Sequence, residues 1–177
     1  MSQPGDVVLG VDPSLRGTGY GVIQILGRGR LRALAHGVIA NPREMTLGAC
    51  LLAIHDTLAD IIAAHSPRCA AIEQTIYVQS RLVAITLGCA RGAAILAIAR
   101  HGLPLVEYAP KAIKAAVTGR GTAGKTQVAI MVRALCGLDA TPPPDAADAL
   151  AVAIAHANAR DIPRPAHPRR LSDLPTL

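Results

Sequence analysis

Apolar segments of this chain repeatedly run straight into a carboxylate, and that placement constrains the fold more than any other feature. Asp12 closes VVLGVD, Glu73 closes CAAIE, and Asp145 and Asp148 form DAAD at the mouth of a long Ala/Leu/Ile segment. Only twelve Asp and Glu residues occur in 177, so a third of the acidic groups lie in strongly apolar settings. A buried carboxylate is heavily penalised unless it is protonated, paired or metal-bound. A fold that gathers the four creates an oxygen-rich site for a hard divalent cation, the kind that serves phosphoryl chemistry.

Each acid also has an ordinary reading. Asp145 and Asp148, three apart, share one helix face and suit an N-terminal cap. Asp12 before Pro13 suits a turn, and Glu73 suits a pair with a buried arginine. These readings must all hold independently, which weakens them together.

The element pattern says how the acids would meet. Residues 6–13, 17–26 and 31–40 read as three strands, the last two joined by the hairpin glycines of Gly27-Arg28-Gly29-Arg30. A helix over 44–66 carries Leu47, Leu51, Ile54, Leu58 and Ile61 at helical spacing and stops at Ser66-Pro67. Strand 69–74, helix 80–101, strand 105–109 and helices 110–118 and 125–137 follow. The Pro142-Pro143-Pro144 break precedes a final helix over 145–159. This order predicts one α/β domain over residues 1–159: an antiparallel meander continued by parallel crossovers, with helices on both faces. Sites in such sheets gather where strand direction switches, which makes Asp12 and Glu73 expected neighbours. Residues 160–177, rich in Pro and Arg, are expected to form a flexible tail.

Hydrophobic residues make up 51% of the chain, yet Phe and Trp are absent and Tyr occurs three times. The core must therefore be Ala, Leu, Ile and Val, which favours close approach of elements. A net charge of +6 points toward polyanionic partners. Cys50, Cys69, Cys89 and Cys136 form no CxxC pair and read as buried free thiols, as in a reducing cytoplasm. No secretory start is evident, and no apolar run reaches about 18 residues without a charged or polar break, so no membrane span is expected.

Gly119 to Thr126 satisfies the phosphate-loop pattern GxxxxGK[ST]. That pattern needs a buried strand before it, and KAIKAAVT reads as helix or turn instead. His156, eight residues past Asp148, reads as a structural histidine.

VLGVDPSLRGTGYGVI (8–23), AAIEQTIYVQS (70–80) with LGCARGAA (87–94), and DAADALAVAIAHA (145–157) together resemble the bacterial Holliday-junction resolvase family RuvC. The blocks are in register over residues 6–158. The resemblance implies a ribonuclease H-like fold with a mixed five-stranded sheet. It implies a Mg²⁺-dependent endonuclease that resolves four-way DNA junctions by paired symmetric nicks, in recombination and repair. It implies a homodimer working with junction-binding and branch-migration helicase proteins. The family's metal-binding acids map onto Asp12, Glu73, Asp145 and Asp148, and its active-site lysines onto Lys114 and Lys125. Two positions depart. Ser14 stands where the family has Gly, and Ile76 stands where similar proteins carry a Phe placed to stack on junction bases. Tyr77 is the candidate substitute, and base-sequence preference stays open.

Two Mg²⁺ ions about 3.5–4 Å apart suit phosphodiester hydrolysis, with Mn²⁺ as a substitute. Asp12 is the expected bridging ligand and Lys125 the expected partner of the reacting phosphate. Arg81, Arg91, Lys111, Lys114 and Arg120 are candidates to track DNA phosphates. Ala84, Leu87, Ala90, Ala94 and Ile98 line one side of helix 80–101, as a dimer face or as ordinary core. A junction-binding module without catalysis is the competing class, which the intact acids argue against.

Overall fold

The computed structural model describes residues 5–74 and 80–159. Ile76, Tyr77 and the expected tail over 160–177 lie outside the described residues. The strands are β1 (Val7–Asp12), β2 (Gly17–Gly27), β3 (Arg30–Ala40), β4 (Cys69–Glu73) and β5 (Leu105–Tyr108). The helices are α1 (Leu47–His65), α2 (Arg81–Arg100), α3 (Pro110–Thr118), α4 (Lys125–Cys136) and α5 (Pro144–Asn158). Every expected element is present, with ends within about three residues.

The sheet order is β3-β2-β1-β4-β5. β1 pairs antiparallel with β2 and β2 with β3, whereas β1–β4 and β4–β5 are parallel. The mixed five-stranded sheet is therefore the one expected, and β1 is the strand at which direction switches. Period-two alternation sorts its side chains. Leu9 and Val11 join Ile54, Leu58, Ala94 and Ile98 in the layer under α1 and α2. Val8 joins Ile23, Val128, Val132, Leu150 and Ile154 in the layer under α3, α4 and α5.

Local chemistry sets the helix ends. Ser66 takes a left-handed conformation (φ 44°) to close α1, and Pro67 prevents continuation. Proline occupies the first turn of α3 and α5, where its missing N–H costs nothing. The alternative reading of Asp145 and Asp148 as a cap on α5 does not hold: Pro143 occupies the cap position and no side chain caps the helix. Asp145 and Asp148 are thus free of that duty.

α5 is the central helix, with ten buried side chains from Ala146 to His156 interrupted only by the half-buried Asp148. It lies unusually close to the sheet because glycines face it. A methyl on Gly10 would stand 2.8 Å from the Ala153 nitrogen, and one on Gly21 2.9 Å from the Leu150 nitrogen. One on Gly19 would collide with the Asp145 carbonyl. With no aromatic bulk between the layers, helix backbone meets strand backbone.

α1 and α2 are long and apolar enough to cross a membrane by length and composition, contrary to the reading of the runs as too interrupted. Both lay a buried face on the sheet, as core helices of an α/β domain do. The small-residue side of α2 is divided: Ala90, Ala94 and Ile98 are core, while Ala84 is exposed. The apolar residues that α2 exposes are instead Leu82, Val83, Ile85 and Leu96. Cys50 and Cys136 are buried and Cys69 and Cys89 half-buried, all as free thiols.

Gly10→Ala or Gly19→Ala should lower unfolding free energy by about 1–3 kcal/mol, because the strained atoms are backbone and have no rotamer to yield. Gly92→Ala, on an exposed stretch of α2 with no atom near its missing Cβ, should be neutral or gain roughly 0.5–1 kcal/mol. Urea titration of the three variants reads both signs.

Candidate active site

Gly10 and Asp12 share the α5 side of β1, and Ala71 and Glu73 share the same side of β4. Asp12 and Glu73 are the last residues of these adjacent parallel strands, so both carboxylates leave the sheet at one end. α5 begins over that end. Its backbone at Asp145 rests on Gly19, the cross-strand partner of Asp12. One turn later Asp148 enters the same space.

Asp12, Glu73 and Asp148 line one pocket of about 430 Å³ with Lys114, Lys125 and Arg91. Apolar side chains, among them Leu87, Ile113 and Val128, complete its wall. Asp145 is not in the lining. It stands half-buried at the rim, with its Oδ2 against Gly17, and still acts on Asp12 through charge. The sequence thus brought three of four acids into one pocket and the fourth to its edge.

The electrostatics follow from this crowding. Burial, then repulsion from Asp148, Glu73 and Asp145, pushes the Asp12 carboxyl up to about 7, against the opposing pull of Lys125. Burial and Asp148 raise Glu73 as well, while Lys125 and Lys114 oppose. Lys125 Nζ donates to Asp148 Oδ2 at 3.0 Å, and this hydrogen bond raises the lysine's pKa. Its side chain is 82% exposed, so solvent screens the contact.

Oxygen-only donors, crowded until they repel, fit a hard divalent cation. Among the described residues no three Asp, Glu, His or Cys side chains already converge on one point, and Lys125 supplies the positive charge beside Asp148. Asp12, Glu73 and Asp148 are the residues that would hold the ion, with Asp145 next to them.

The remaining candidates divide. Arg81, Lys111 and Arg120 are exposed. Arg91, expected on phosphates, is only 16% exposed and is bound within the fold, to the Glu73 carbonyl at 2.7 Å and to Glu107 at 2.8 Å. Glu107 was not foreseen, and neither was the glycine bed under α5. Its signal is visible in GTGYG (17–21), where glycine recurs with the period of one strand face. The phosphate-loop pattern is preceded by helix α3, ended by Gly119 in the left-handed region, so it lacks the strand a nucleotide loop requires. His156 is buried, 2.9 Å from the Tyr108 hydroxyl and 3.1 Å from the Cys69 thiol, as a structural histidine should be.

Residues 8–156 match the family model of the crossover junction endodeoxyribonuclease RuvC. The RuvC protein of Akkermansia muciniphila is 48% identical over 160 residues, covering 90% of this chain and 95% of that protein. That of Rhizobium etli is 46% identical, covering 86% and 90%. Among solved structures, T. thermophilus RuvC in complex with a Holliday junction substrate aligns with a TM-score of 0.82 at 33% identity, covering 86% of this chain and 93% of that one. The yeast mitochondrial Holliday junction resolvase Ydc2 aligns at TM-score 0.63 with 12% identity, a likeness of fold alone. With a family model matched over residues 8–156 and sequence identity of nearly half along almost the whole length, the chain belongs to the RuvC family of crossover junction endodeoxyribonucleases.

Proposed function

We propose that this chain is a divalent-metal-dependent endonuclease that resolves four-way DNA junctions by paired symmetric nicks, in recombination and repair. The observation that carries the reading is one pocket in which Asp12, Glu73 and Asp148, from three distant segments, stand beside Lys114 and Lys125. Family membership supplies the substrate class.

Mg²⁺, or Mn²⁺ in its place, is the cofactor proposed, held by Asp12, Glu73, Asp145 and Asp148, with two ions per site. Bound there it provides charge neutralisation at the phosphate and an activated water. The chain's own residues do the rest. Asp12 and Glu73 are fixed in direction by their strands, so the acids need no reordering when a ligand arrives. Lys125 stays protonated at neutral pH, its pKa raised, and its exposed ammonium is placed to pair with a phosphate oxygen. Lys114 adds positive charge on the opposite helix. Arg81, Lys111 and Arg120 follow the DNA backbone, and Tyr77 takes the stacking role that Ile76 cannot, worth about 1–3 kcal/mol for one base.

Paired nicks need two sites related by a two-fold axis, which an isologous homodimer supplies. The exposed Leu82, Val83 and Ile85 of α2 support such an interface. Junction-binding and branch-migration helicase proteins complete the proposed assembly, acting in the cytoplasm.

Asp148→Asn should abolish cleavage of a synthetic four-way junction in Mg²⁺ while junction affinity is kept or rises, since phosphate meets less negative charge. A variant that cuts at near the parental rate removes Asp148 from the reaction. Linear duplex is the control substrate.

Asp12 also sets a pH dependence. Its carboxyl, raised from 3.8 to about 7, holds a proton in the folded chain that the unfolded chain releases. That contribution to stability is full below about pH 4 and lost as pH rises through about 7. In chelator, Asp12→Asn should therefore match the parent near pH 4.5 and melt higher at pH 8, by roughly 3–6 °C. Mg²⁺ at pH 8 should narrow the gap by stabilising the parent alone. Differential scanning fluorimetry with equal melting curves at pH 8 would remove buried charge as the cause.

A further inference from the structure

We propose that Arg91 is a positioning residue for Glu73, and that with Glu107 it forms a clamp that fixes where β4 delivers its carboxylate. The inference rests on the metal-binding reading of the acids and adds a residue that contributes no ligand of its own.

Glu73 ends β4 one residue beyond the register with β1, whose last pair is Val11 with Ile72. The ladder with β1 therefore stops one residue short of Glu73, although Asp12 still stands beside it. On the other side the ladder continues only through β5, where Tyr108 is the last strand residue. The chain end beyond Glu73 is tied by the Gln74 amide donating to the Tyr108 carbonyl at 2.9 Å. Arg91 closes what remains. From α2, on the other side of the sheet, its Nη1 donates to the Glu73 carbonyl at 2.7 Å. Its Nη2 meets Glu107 Oε1 at 2.8 Å.

One planar guanidinium thus joins three elements: α2, the end of β4 and the middle of β5. Two nitrogens of one fork are used in two directions, which a lysine's single nitrogen cannot copy without losing one contact. The side chain is 16% exposed, so DNA has little of it to touch, whereas Lys114 and Lys125 reach the pocket. Arg91 borders that pocket, yet it grips the backbone of Glu73 and leaves the carboxylate oxygens available. Rotation of that peptide would swing the Glu73 side chain away from Asp12 and Asp148. The effect belongs to groups that orient ligands from behind, whose loss commonly lowers metal affinity or activity about 10–100-fold.

The test uses the full chain and Mn²⁺ titration by calorimetry, with junction binding in chelator measured alongside. Arg91→Lys and Glu107→Gln should each weaken Mn²⁺ binding, Arg91→Lys by about 10-fold or more, while junction affinity in chelator and its salt dependence stay at parental values. Both substitutions keep hydrogen-bonding capacity, which protects the fold. Arg91→Lys should also need more Mg²⁺ for half-maximal cleavage. Loss of junction affinity with a shallower salt slope, and parental Mn²⁺ binding, would make Arg91 a phosphate contact and overturn the proposal. A lowered melting temperature with parental Mn²⁺ affinity would reduce it to a structural ion pair and overturn it too. Asp12→Asn separates this from the broader reading: if that variant loses Mn²⁺ and Arg91→Lys does not, only the clamp fails. If Asp12→Asn binds Mn²⁺ normally, the metal reading itself fails.

Discussion

The close contact between α5 and the glycine-lined strands is the constraint from which the rest of the molecule follows. Asp145 and Asp148 are carried by a helix, Asp12 by a strand, and the distance between them is set by how near the two backbones approach. Gly10, Gly19 and Gly21 remove the side chains that would hold them apart, and the alanines of α5 do the same from above. A core of Ala, Leu, Ile and Val is part of that arrangement. Aromatic packing between the layers would raise the helix and open the acid cluster.

That cluster costs stability, and the surroundings explain why it is tolerated. Asp12 is pushed up to about 7 because burial and three other carboxylates act on it together. Lys125 relieves part of the repulsion through Asp148. A site that is uncomfortable when charged alone is one in which a multivalent cation gains affinity. Among the described residues that line the pocket the ligating atoms are oxygens, the donor type that hard cations favour.

Much of this was legible in the sequence. Alternation in VVLGVD and CAAIE, helical spacing through 47–61, and the Gly and Pro stops placed every element, because short regular segments with clean punctuation leave few choices. The acids were legible because charge at the end of an apolar run is rare. Their final positions were not. Spacing of three puts Asp145 and Asp148 on one helix face, but only the tilt of α5 across β1 and β2 decides that Asp148 enters the pocket while Asp145 stays at the rim. The contacts of Arg91 within the fold were hidden for a similar reason. From the sequence it is one basic residue among many; its partner Glu107 is sixteen residues on, in another element. The stripe on α2 divided because sequence periodicity cannot say which half of a helix overhangs the sheet.

At the far end of α5, His156 sits between the Tyr108 hydroxyl and the Cys69 thiol, one ring nitrogen donating and the other accepting. The helix is therefore anchored at its tail by two polar contacts and at its head by strand backbone. A rod pinned at both ends transmits a displacement instead of absorbing it, so a change packed in beside His156 is carried along α5 to Asp148. α3 and α4 brace the same rod from the side, sharing its buried layer.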